Sequence, residues 1–197
     1  MSLEGLSAEQ LISKARTLRT QGNNKKAIET FQQALSLQPE NLDVLNEMGL
    51  AHIHIGEQSE AIIAFDLAIS IAPEDHRGHS NKAEAYLTTG SFDEADAAAS
   101  SGLRHIPNNA ALWTKKARAL ESLLKIQEAV DAYNEALKYE SGNPETWKAL
   151  ALCLDAQEKW SAVARAYRIA ARLHEKRGER QDADSCLKFA QMAENSE

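Results

Sequence analysis

The stretch AHIHIGEQSEAIIAF, residues 51–65, decides the fold. His52 and His54 hint at a metal site, whereas Gly56 followed by Ala61 and Phe65 hints at one unit of a repeat. Working outward resolves the choice. Gly22, Gly56 and Gly90 are spaced 34 residues apart, as are Pro39, Pro73 and Pro107, and as are Ala27, Ala61, Ala95 and Ala129. An aromatic follows that alanine by four residues at Phe31, Phe65 and Tyr133, with Ala99 as the exception. Coincident series at one interval are the signature of stacked repeats.

Within a period, small and apolar residues fall at helical spacing (Leu45, Met48, Gly49, then Ala61, Phe65, Ala68, Ile69), which predicts two amphipathic helices with a break near the glycine. Ser7, Asn41, Asp75, Asn109 and Asn143 precede the first helix of successive periods, and each can accept from the free amides of a first turn. Pro39, Pro73 and Pro107 stop the preceding helix. Pro144 instead follows its cap directly, where a missing N–H costs nothing. Ala15, Gly49, Ala83, Ala117 and Ala151 share one position, where a larger side chain would hold neighbouring helices apart. Such a helix pair cannot bury its apolar face alone, so neighbours must stack.

The pattern resembles the tetratricopeptide repeat family. The resemblance rests on Trp113 and Trp147, the small residues four on, the next-turn Tyr86, Leu120 and Leu154, the mid-repeat glycine, the Ala–aromatic–Ala second helix and the terminal proline. It runs from Ala8 to about Arg177. The repeats are expected at 8–41, 42–75, 76–109, 110–143 and, more loosely, 144–177, with a capping helix at about 180–194 and a single domain over 1–197. Departures are His79 for an aromatic, Ala99 for the second-helix aromatic, Leu124 and Glu158 for glycine, and Val163 for alanine. The segment from Ala164 can also serve as a degenerate sixth unit. The implied fold is all-α: a right-handed α-solenoid superhelix of helix-turn-helix repeats.

Composition fits. The chain has 197 residues, is 43% hydrophobic and holds only 9 glycines and 4 prolines, enough apolar material to bury a core and too little Gly and Pro for a low-complexity chain. No apolar run reaches the roughly 18–20 residues of a membrane span, and no basic-then-apolar leader opens the sequence. Cys153 and Cys186 lie outside any C-x-x-C and are expected as reduced thiols, which suggests a cytoplasmic protein. The net charge of −7 argues against nucleic acid as a ligand. It is uneven: residues 159–188 carry a net +4 and the remainder −11.

The histidines of the opening stretch lie about 200° apart around a helix and cannot share an ion. His52 should pack between helices and His54 should face the inner surface. His76 and His79 could chelate by spacing, but no further ligands stand at zinc spacing. No phosphate loop, nucleophile elbow or metalloprotease motif is present, so no catalytic residue, cofactor or metal site is expected and the chain is not expected to be an enzyme.

The resemblance implies that the first helices of the repeats line a concave groove that binds an extended peptide or a partner helix. Mapped residue by residue, the groove is expected to present Glu9, Ile12, Arg16 and Arg19, then Asp43, Asn46, Leu50, Ile53 and His54. The third repeat adds Arg77, Asn81, Glu84 and Leu87, the fourth Lys115, Arg118 and Glu121, and the fifth Glu145, Lys148, Leu152 and Asp155. Arginines clamp carboxylates in bidentate fashion, and amides can hold a peptide backbone. Of the five-residue clamp by which some relatives grip heat-shock chaperone tails, Asn81 and Lys115 match, whereas Asn46, Leu50 and Ala111 do not. Arg165, Arg168 and Arg172 form a basic stripe that is either a solvated face or a contact for an acidic partner or a second copy. The expected function is a non-catalytic scaffold or adaptor. The alternative is a targeting or regulatory module of a larger enzyme.

Overall fold

The computed structural model describes residues 5–196, and they form two compact units that divide at Thr89/Gly90. The first unit contains α1 (Ala8–Thr20), α2 (Asn24–Leu37), α3 (Leu42–His54), α4 (Gln58–Ile71) and α5 (His76–Thr88). The second contains α6 (Phe92–His105), α7 (Ala110–Ser122), α8 (Ile126–Tyr139), α9 (Pro144–Asp155), α10 (Trp160–Arg177) and α11 (Arg180–Glu194). The described residues are all-α, with no strand, and within each unit consecutive helices pack on one another. No helix among them is long and apolar enough to cross a membrane.

Odd-numbered helices up to α9 start on a side-chain cap. Ser7, Asn41, Asp75, Asn109 and Asn143 each accept a backbone N–H of the first turn, and Ser7 with Gln10 closes a capping box. The second helix of a pair has no such cap. It begins instead from a left-handed turn whose closure is backbone alone. Asn23 N–H donates to the Leu18 carbonyl at 2.8 Å and Glu57 to His52 at 3.0 Å in the first unit. In the second, Lys125 donates to Leu120, Lys159 to Leu154 and Glu179 to His174 at 2.9, 3.1 and 3.0 Å. This six-to-one bond requires a residue at positive φ just before the donor. Gly22, Gly56 and Gly178 supply it, and where glycine is missing Leu124 and Glu158 adopt φ of 59° and 57°. The α10–α11 join is therefore the same turn as those inside the repeats. At 18 residues α10 is long enough to pack on both α9 and α11.

The core follows the small-beside-large logic. Phe31, Phe65 and Tyr133 are fully buried, as are the alanines at 15, 27, 83, 117 and 151. Gly49 is smaller still because the Phe65 ring occupies the space: a Cβ there would lie 2.4 Å from the ring. His79, the departure from the aromatic position, behaves as the tryptophans do. Trp113 donates to the Pro107 carbonyl at 2.8 Å, Trp147 to Ser141 at 2.9 Å, and the His79 Nε2 lies 3.2 Å from the Pro73 carbonyl. At each of the three a ring nitrogen ties the first turn to the preceding loop. Buried and spent on that bond, His79 is not available to chelate with His76. Both cysteines are free and buried, and burial pushes the Cys153 thiol up to about 12, so it carries no thiolate at neutral pH.

Candidate functional site

In the first unit, α1 and α3 flank a groove of about 470 Å³ whose walls include Glu9, Ile12, Arg16, Thr17 and Asp43. The arginines expected to face a ligand lie here on carboxylates of their own chain. Glu47 takes both Arg16, at 2.7 Å from Nε, and Arg19, at 3.2 Å from Nη2. Arg77 reaches Asp43 at 2.5 Å with Nη1 and Asp75 at 2.6 Å with Nη2. The Arg77 guanidinium holds the Asp75 carboxyl below its usual range, and the two carboxylates raise Arg77 in return. Arg16 and Arg77 remain nearly half exposed, so these pairs are reachable from solvent.

The two asparagines meet. Asn81 Nδ2 donates to Asn46 Oδ1 at 2.9 Å, and Asn46 Nδ2 donates to the Leu42 carbonyl at 2.9 Å. Asn46 is thereby buried at 5% exposure and acts as the anchor, while the partly exposed Asn81 is the amide a ligand can reach. Leu50 and Ile53 are half-buried against the Phe65 cluster, and Leu87 is buried. Spacing alone puts Asn46 and Leu87 on the open face, whereas in the structure both are buried, Asn46 with its amide on Asn81 and the Leu42 carbonyl. His54 is exposed and Glu84 half-buried. His52 is buried at 7%, with its Nδ1 on Glu57 Oε2 at 2.8 Å.

In the second unit, Arg118 is exposed on α7 and Lys115 half-buried. Glu121 accepts the Tyr133 hydroxyl at 2.7 Å, and burial followed by this carboxylate drives the phenol far above its ordinary value. Lys148 lies on Glu145 one turn earlier, at 3.0 Å. The unit also holds two grooves, one that spacing did not single out and one along the basic stripe that it did. One, of about 340 Å³, is lined by Leu152, Trp160, Tyr167, Phe189 and Met192, with the Tyr167 and Phe189 rings stacked at 5.2 Å. Leu152, Phe189 and Met192 are half exposed or more. The sequence signal is the pair Phe189 and Met192, large apolar residues off the alanine face that α11 buries. The other, of about 420 Å³, runs along Arg165, Arg168 and Arg172. Arg168 is held by Glu194 at 2.5 Å, whereas Arg165 and Arg172 are exposed. By their linings, one groove suits apolar side chains and the other carboxylates.

Solved structures share this fold. A MamA RS-1 double mutant is similar at 14% identity and a TM-score of 0.73, over 86% of this chain and 96% of that one. TTC0263, a thermophilic tetratricopeptide protein of Thermus thermophilus, is similar at 18% identity and 0.68, over 94% and 100%. Pseudomonas aeruginosa PilF is similar at 15% identity and 0.69, over 94% and 91%. At such identities the likeness speaks for fold alone. No curated protein matches the sequence. The tetratricopeptide repeat profile matches residues 12–76 and 80–145, well over half of the chain. With its repeats, its capped first helices and its left-handed mid-repeat turns, the chain belongs to the tetratricopeptide repeat family.

Proposed function

We propose that this protein is a non-catalytic interaction scaffold that holds an extended, acidic peptide segment of a partner protein against the inner faces of its first helices. The observation that supports this most is the state of the arginines of α1 and α5, paired with carboxylates of α3 and the α5 cap. Arg16 and Arg77 are partly exposed guanidinium forks already oriented by Glu47, Asp43 and Asp75. An exposed ion pair is worth only about 0–1 kcal/mol. A ligand carboxylate can therefore take the place of an internal one at small cost, while the fork arrives with its geometry set. The amide of Asn81 beside Asn46 suits a peptide backbone, and Leu50 with Ile53 offers apolar contact. In the second unit, Arg118 and Lys115 on α7 offer carboxylate-binding chemistry of their own.

The test is capture of partners from native lysate by the wild-type chain and by Arg16→Glu, Arg77→Glu and Arg118→Glu variants of verified helicity. Retained fold with loss of the captured protein supports the groove. Equal capture by wild type and the triple variant refutes it.

A further inference from the structure

The second unit contains a turn that the scaffold reading leaves unexplained. His174, in the last turn of α10, is 3% exposed. Its Nδ1 lies 2.7 Å from Glu179 Oε2, and because a carboxylate only accepts, Nδ1 carries the proton. The lone pair of the neutral ring is then on Nε2. That atom is buried and has no hydrogen-bond partner. It faces Glu145 Oε1 at 3.6 Å. A buried acceptor directed at a carboxylate is unfavourable unless something positive sits between them. A proton serves poorly, since 3.6 Å is too long for a hydrogen bond. A metal ion fits: with bonds of about 2.0–2.2 Å to imidazole and carboxylate, that separation corresponds to an angle of about 120° at the metal.

Further carboxylates stand nearby. His174, Glu179 and Asp182 each offer a ligand atom within 4.8 Å of the others. Asp182 stands in the first turn of α11, and Glu145, in the first turn of α9, lies outside that group and approaches His174 at Nε2, 3.6 Å away. Glu179 on Nδ1 is the arrangement by which a carboxylate fixes the tautomer of a metal-bound histidine. Lys148 contacts both oxygens of Glu145, at 3.2 and 3.0 Å, and must share that carboxylate with any ion. The first unit supplies a control. His52 and Glu57 form the same turn, with Nδ1 on the carboxylate at 2.8 Å and the same backbone closure, but no further carboxylate joins them in a converging group among the described residues.

We propose that His174, Glu145 and Asp182 bind one divalent cation of the zinc class, with Glu179 as the positioning residue, and that the ion pins α11 to α9 and α10. Nitrogen with carboxylate oxygens suits Zn²⁺ among common ions.

The test is calorimetric titration of the chelator-treated protein with Zn²⁺, paired with thermal unfolding. The expected result is one equivalent bound and a Tm raised by about 5–10 °C at free zinc near a hundred times Kd. His174→Gln and the surface change Asp182→Asn should each weaken binding at least tenfold, and His52→Gln should leave it unchanged. Absence of binding to wild type overturns the proposal, as does equal binding by wild type and Asp182→Asn. Should His174→Gln fail to fold, Asp182→Asn and Glu145→Gln, both at exposed carboxylates, carry the decision.

Discussion

The two units treat the same repeat differently. In the first, the mid-repeat turns at Gly22 and Gly56 are glycine, the tightest small-residue contact is Gly49 under Phe65, and the inner arginines rest on carboxylates of the chain. In the second, the turns at Leu124 and Glu158 force bulkier residues into the same conformation, no counterpart of Gly49 is glycine, and Arg165 and Arg172 stand exposed along α10. One backbone plan thus tolerates several side-chain solutions, and the units differ in where strain and exposed charge are left. The first unit has low backbone strain and a preset charge pattern. The second stores strain at Leu124 and Glu158 and leaves Arg165 and Arg172 exposed.

The largest expected effect strikes the first unit. Gly49→Ala improves helix propensity by about 1 kcal/mol, yet it pushes a methyl into the Phe65 ring, for which overpacking costs about 1–3 kcal/mol. We expect net destabilisation in urea unfolding, whereas the corresponding positions of the second unit already carry alanine at 117 and 151. A neutral or stabilised variant would mean that α3 and α4 part more easily than their packing implies.

Next come the turns. Leu124→Gly should stabilise by about 0.5–1 kcal/mol, because a left-handed non-glycine residue costs about 1–2 kcal/mol and the entropy of the added glycine returns part of it. Gly56→Ala should cost about 1 kcal/mol by the same argument run backwards. If the two changes have the same sign, the strain difference between the units is wrong.

Asp75 tests the preset charges. It caps α5 and accepts from Arg77, and its carboxyl is held below the ordinary value of 3.8 chiefly by that arginine. A depressed carboxyl contributes stability that is present above its unfolded pKa and lost as pH falls through the folded one. The contribution should therefore disappear below pH 3.8, seen as faster hydrogen exchange at the start of α5. Asp75→Ala should cost about 1 kcal/mol at neutral pH, with that acid-dependent loss abolished.

The smallest effect concerns Glu47. Glu47→Gln releases both Arg16 and Arg19 at a stability cost of about 0–1 kcal/mol, and should tighten binding of an acidic peptide roughly two- to tenfold by fluorescence anisotropy. Weakened binding would mean that Glu47 orients the arginines more than it competes with a ligand.

Much of the fold was legible before any coordinates. The interval between Gly22, Gly56 and Gly90 marks the turns, the polar residues before each first helix mark the caps, and the alternation of alanine with Phe31, Phe65 and Tyr133 marks the core. All are local or strictly periodic, so the chain announces them by itself. The candidate site was legible only as a set of faces. Periodicity places Arg16, Asn46 and Arg77 on one side of their helices, but it does not say that Glu47 stands 31 residues from Arg16 at 2.7 Å, or that Asn46 sinks beneath Asn81. Nor does it show that Glu145 and His174, far apart in sequence, meet across α9 and α10. Those outcomes depend on the angle and rotation of one helix against the next, and on which rotamer the packing leaves open. The sequence by itself determined the repeat, its helices and its caps, because each follows from hydrogen bonds and packing within a few turns of the chain. Only the tertiary structure decided which charges are spent and which remain, because ion pairs and buried polar contacts form between side chains that helix packing, not sequence, makes neighbours.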